Sequence, residues 1–219
     1  MDEFKDRDAQ GLMPRKKDGP TDDDTKAAKA ATMYMKLIFV TVPAIQLVLA
    51  TGTYFLVSHF QPETLAAKFR FLHTYDLGYV YLAIYIIGLG RGRLMVNANS
   101  ARAGARIDRP DQHIYKVMDP NGAKDAPYVL MATTGWAGKF NRAQRALFNT
   151  DETMPQTLVT MALGGALFGP AIVCVALLIV YGRVKFALLY TETTGKRGGG
   201  FLPAVIGENW AQGDRKSVV

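Results

Sequence analysis

The sixteen residues from Phe140 to Pro155 hold most of the chemistry that the sequence offers. Within them Arg145, Asn149 and Glu152 are spaced i, i+4 and i+7, which on a helix makes one stripe. A second stripe, Arg183, Phe186 and Tyr190, is spaced i, i+3 and i+7, and Lys196 and Arg197 follow it. Together these residues offer guanidinium forks for carboxylates, a carboxylate for an ammonium, and an amide and a phenol for orientation. That inventory suits a small zwitterionic ligand bearing carboxylates and an amine. By spacing alone, the first stripe equally suits an amphipathic helix end closed by an Arg–Glu pair at a membrane interface.

The elements that must position these residues are helices in lipid. The chain has 219 residues, and Thr153 to Gly182 hold no charge in thirty of them, which excludes an ordinary soluble domain. Gly169-Pro170 interrupts that run, so it reads as two helices joined by a tight turn, the first starting near Phe140 and the second ending near Tyr190. The two are antiparallel neighbours, and both stripes come to the same membrane face. Leu37 to Ser58 is a further uncharged stretch, long enough to cross a bilayer, with Pro43 tolerable inside it. Leu77 to Gly90 is shorter and is flanked by His73, Asp76, Arg91 and Arg93. It spans if those flanks belong to the same helix and face protein or reach the interface.

Four spans place residues 1–36, the 91–145 connection and everything after Tyr181 on one side. These hold 24 of the 26 Lys and Arg residues, leaving Lys68 and Arg70 opposite, as the positive-inside rule asks. The expected fold is therefore an all-α, membrane-embedded four-helix bundle with both termini on the cytoplasm-like side. Residues 1–32, with eight acids and seven bases, read as a solvated tail; 33–59 as a transmembrane helix; 104–138 as a polar loop; 201–219 as a polar C-terminal tail. No cleavable targeting signal is visible. The single cysteine excludes an internal disulfide framework. The net charge of +7 marks orientation and lipid headgroups, since no nucleic-acid module accompanies it.

The segment Arg145-Ala146-x-x-Asn149-x-x-Glu152-x-x-Pro155 resembles the signature of the MAPEG family, the membrane-associated proteins of eicosanoid and glutathione metabolism. Phe140-Asn141, Gln144-Arg145-Ala146 and Asn149-Thr150 are most similar to its microsomal glutathione S-transferase type three branch. Ala101-Arg102 with Pro110, Gly182-Arg183-Val184, Tyr190-Thr191 and Lys196-Arg197 extend the likeness over roughly residues 75–200. The resemblance implies a trimer that binds glutathione between subunits at the cytoplasmic end. It implies that Arg145, Asn149, Glu152 and Tyr190 hold the tripeptide, with Arg183 beside them, and that Arg197 stabilises its thiolate. A thiol of pKa near ~8.5 gains nucleophilic fraction beside a cation.

The chain departs from that pattern in places. Leu147 stands where the family usually has His or Gln, and Phe186 where Tyr is common. No fourth family helix is expected after Phe201. Residues 37–58 run in the direction of that missing helix and would fill its place, a natural circular permutation.

Other features carry blander readings. Gly88-x-Gly90-x-Gly92 is not a dinucleotide loop, because no βαβ unit surrounds it. Gly165-x-x-x-Gly169 suits helix packing or turn flexibility, and Cys174 reads as core rather than reactive. Two functions follow. One is a glutathione-dependent membrane transferase or peroxidase acting on lipophilic electrophiles or lipid hydroperoxides. The other is a non-catalytic accessory subunit of a larger membrane complex, docked through its N-terminal tail and extra helix. Membrane lipid is a partner in either case, with a homotrimer or a hetero-complex as the assembly. The endoplasmic reticulum or mitochondrial membrane is the expected location.

Overall fold

The computed structural model describes residues 23–107 and 131–216, with the side chains of Lys196, Arg197 and residues 212–216 excepted. Most of the acidic N-terminal segment and of the polar loop lies outside the described residues. The chain forms α1 (Asp23–Lys36), a π-helical turn (Leu37–Thr41), α2 (Val42–Phe60), α3 (Pro62–Thr74), α4 (Leu77–Gly104), α5 (Gly135–Phe168), α6 (Ala171–Glu192), a 3-10 turn (Thr194–Arg197) and α7 (Gly198–Lys216). It is an all-α membrane bundle. Three helices are long and apolar enough to cross a membrane among the described residues: Asp23–Phe60, Leu77–Gly104 and Ala171–Glu192. α5, the remaining expected span, carries its charged half and its apolar half in one 34-residue helix.

α4 is the central helix. α1 packs on one side of it and α5 and α6 on the others, so its buried residues follow no single stripe. Small residues make that possible. A Cβ on Gly90 would stand 2.8 Å from Val180 of α6, and one on Gly92 would stand 2.8 Å from Ile38 of the π turn. In lipid, apolar burial supplies little drive between helices, and close approach through small residues takes its place. The flanking arginines belong to α4, as the short uncharged run required, and Arg91 faces α5.

The π turn has a local cause. Pro43 has no N–H to offer the carbonyl four residues back, and the ladder widens before it, with Val42 N–H donating to Leu37 O. Above this turn the helix leaves the bundle, and neither α2 nor α3 buries a residue. Asp76, at φ 52°, breaks the chain between α3 and α4. It lies against the α5–α6 turn, where Gly169 takes φ 48° and a Cβ would come within 3.3 Å of Asp76 Oδ2.

Several expectations are corrected. Residues 23–32 are not tail but helix, seated on α4 with Ala27 buried. The polar tail expected from 201 is α7, which lies along α6. Its small residues explain how: a Cβ on Gly200 would meet Phe186 N at 2.1 Å, and one on Gly182 would meet Ala204 N at 2.2 Å. Farther along, Ala211 joins a core cluster with Ile172, Val175, Met161 and Ala83. α7 therefore runs back along α6 to the end where α6 begins. The described C-terminal end is thus carried away from the start of α1, against the expectation that both termini share a side. No place is vacated for residues 37–58, which removes the permutation. α5 begins at Gly135 rather than near Phe140. Of the Gly165/Gly169 pair, Gly165 packs, with Val80 Cγ2 2.6 Å from a would-be Cβ, and Gly169 turns. Cys174 is exposed, not core.

Candidate functional site

α5 divides its polar residues between faces. Arg145 and Glu152 lie two turns apart on the outer face and meet at 3.4 Å, with side chains 58% and 59% exposed. Asn149 sits half-buried between them. Asp151, one residue from Glu152, turns inward and accepts two hydrogen bonds from Arg91 of α4, Nε–Oδ1 at 2.7 Å and Nη2–Oδ2 at 2.9 Å. This fork-to-fork pair ties α4 to α5 at the level where both helices leave their uncharged runs.

Asn149 and Glu152 form one wall of a cleft of about 580 Å³. Arg183 and Phe186 of α6 form the second wall, and Gly198, Phe201, Ala204, Val205 and Glu208 at α7 form the third. Arg183 reaches Glu208 Oε1 through Nε at 2.7 Å and through Nη2, which also donates to Thr153 Oγ1 at 3.0 Å. Their side chains are only 19% and 23% exposed. Arg183 thus lines the cleft with its fork already closed by the protein's own carboxylate. Tyr190 is not among the lining residues; it stacks on Phe186 with ring centroids 5.7 Å apart and packs beside Leu147 against Leu94, Ala146 and Ala187. Arg197 ends the 3-10 turn immediately before Gly198 of the cleft wall, and its side chain lies outside the described atoms.

The stripes expected from sequence are therefore brought together in part. Asn149, Glu152 and Arg183 share the cleft, Arg145 adjoins it through Glu152, and Tyr190 backs it through Phe186. Sequence reasoning missed Glu208, Asp151 and Arg142. Glu208 is the sole carboxylate between Glu192 and Asp214, and it follows Ala204 by four residues on the helix. Arg142 donates to Thr191 O at 3.0 Å, Glu192 O at 3.1 Å and Thr133 O at 2.7 Å, capping the carbonyl end of α6. On the other side of α5, a second cleft of about 580 Å³ is lined by Tyr34, Arg91, Asn99, Arg102, Gln144 and Asp151 among others. There Arg102 Nη2 donates to Tyr34 Oη at 3.2 Å. No group of three or more His, Cys, Asp or Glu residues suited to a metal occurs among the described residues.

The model of the MAPEG family matches residues 77–207, from the start of α4 into α7. The chain belongs to the MAPEG family. The match covers the whole cleft-forming unit except Glu208, and it leaves the long helix 23–60 outside. No curated protein and no solved structure matches the chain. Membership of MAPEG directs the reading toward membrane glutathione or eicosanoid metabolism, and its members generally use glutathione and are typically trimers.

Proposed function

We infer that this MAPEG chain is a glutathione-dependent membrane transferase or peroxidase of the microsomal type-three kind, and that the α5–α6–α7 cleft receives the tripeptide. The observation that carries this is the convergence of Asn149, Glu152, Arg183 and Phe186 on a cleft of about 580 Å³, a volume suited to a small molecule. Arg145 and its partner Glu152 are both more than half exposed, which leaves the guanidinium open to solvent; it takes a ligand carboxylate. Glu152 takes the ammonium and Asn149 orients the chain between them. Arg183, closed by Glu208, shapes the wall and brings α7 into place.

Arg197, the residue before Gly198 of the cleft wall in the chain, stabilises the thiolate. That sulfur attacks an electrophilic carbon, forming a C–S bond as the leaving group departs with its electrons. In the peroxidase reaction it attacks the terminal hydroperoxide oxygen, forming an S–O bond as the O–O bond breaks, which leaves glutathione sulfenic acid and, after protonation of the alkoxide, the alcohol. Glutathione binding to purified protein, followed by thiolate absorbance in the ultraviolet at neutral pH, tests the reading. Binding without thiolate, or no binding at all, overturns it.

One observation favours the accessory-subunit reading: α2 is apolar and α2 and α3 bury nothing within the chain. Under that reading the native protein forms no thiolate and co-purifies with a larger complex through residues 23–60.

A further inference from the structure

The three helices that qualify as membrane spans enclose a groove on the side of α6 away from the glutathione cleft. Its lining comprises Met35 and Phe39 of the extra helix, Leu89, Gly90 and Arg93 of α4, and Val180, Tyr181, Val184, Lys185 and Leu188 of α6, around about 490 Å³. Helical spacing puts Val184 and Leu188 roughly opposite Arg183 and Phe186, so groove and cleft are separate. The groove owes its depth to Gly90, where any side chain would strike Val180. The extra helix supplies one wall through its close approach to Gly92.

Its walls are apolar except at one level. Arg93 and Lys185 are among the first cations beyond the uncharged runs of α4 and α6, which places both at the membrane interface. Tyr181 lies beside them, with Lys185 Nζ 2.9 Å from its hydroxyl and 5.2 Å from its ring centroid. An aromatic and two cations at this level form an interfacial anchor. Among the described residues lining the groove there is no carboxylate to neutralise them. An acyl chain fits the apolar length, and a phosphate fits between a guanidinium and an ammonium.

We propose that this groove holds an anionic phospholipid, with its acyl chain against Phe39, Leu89 and Val180 and its net-negative headgroup on Arg93 and Lys185. The lipid would fasten the extra helix to the bundle matched by the family model along the face where protein contacts are sparse.

The test uses the full chain in phosphatidylcholine nanodiscs doped with phosphatidylserine, with lipid retained after mild detergent extraction measured by mass spectrometry. Phosphatidylserine should be retained well above its share of the bilayer. Arg93→Gln combined with Lys185→Gln should reduce that enrichment by about tenfold or more, since the preference over phosphatidylcholine rests on two cations facing a net-negative headgroup. Val184→Trp should fill the groove and displace retained lipid without altering the oligomeric state. Retention of both lipids in bilayer proportion by the native protein overturns the proposal even if neither variant folds. So does enrichment that survives the double substitution. A changed oligomeric state in Val184→Trp would mark the groove as a seat for a second copy. Displacement of phosphatidylserine by inorganic phosphate would mark a headgroup-only anion site.

Discussion

Asp151 and Glu152 are adjacent acids with different surroundings, and each is matched by an arginine of its own. The Arg145–Glu152 contact is long and exposed, so it contributes a few tenths of a kcal/mol to ~1 kcal/mol at most. Arg145→Ala should therefore leave the melting temperature nearly unchanged while weakening glutathione binding at least about tenfold, as read by equilibrium dialysis. Glu208→Gln should do the reverse. It leaves the largely buried Arg183 without its counter-charge and should cost about 2–3 kcal/mol, measured by unfolding in detergent. A Glu208→Gln protein as stable as the native one would remove the clamp assigned to that pair. The exposed stripe was legible in sequence because ionisable side chains beside an uncharged run are conspicuous. The pairing of Arg183 was not, because its partner lies 25 residues away in a segment whose helix had not been recognised.

At the scale of elements, α7 shows why. Tests for spans reward apolarity, whereas α7 is held by small residues: Gly200, Ala204, Gly207 and Ala211 are buried, spaced four, three and four apart. That stripe is visible in the sequence once it is sought as a packing face rather than as a lipid face. Gly182→Leu should separate α7 from α6, since even a methyl group would meet the backbone of Ala204. The expected readout is rapid proteolysis near residues 198–216 with α4 to α6 still protected, and glutathione binding lost with the third wall of the cleft. Equal protection of α7 in the variant would show that the crossing tolerates bulk. The turn at Gly169-Pro170 was legible for the opposite reason, because a left-handed residue before proline announces itself locally.

The whole molecule is a MAPEG bundle with a helix laid against it from outside. α1 grips α4, and past the π turn the same helix departs. Since α7 retraces α6, tags placed at the two ends of the chain should be reached from opposite faces of sealed vesicles. Finding both on one face would return the C-terminal segment to the position that charge counting gave it. Charge counting treated every basic residue after Tyr181 as one group, and a helix held by small residues was enough to divide that group.

The lone thiol gives the proposed chemistry a stoichiometric signature. Cys174 is exposed on the apolar part of α6, nine residues and about 13 Å of helix rise from Arg183. Among the described residues lining the cleft there is no thiol to resolve a glutathione sulfenic acid. Under the peroxidase reading a second glutathione molecule does so, forming the S–S bond and releasing water. Peroxide turnover should therefore consume two glutathione molecules per hydroperoxide reduced, while conjugation consumes one per product formed. Replacing Cys174 with Ser should alter neither that stoichiometry nor the rate of peroxide turnover.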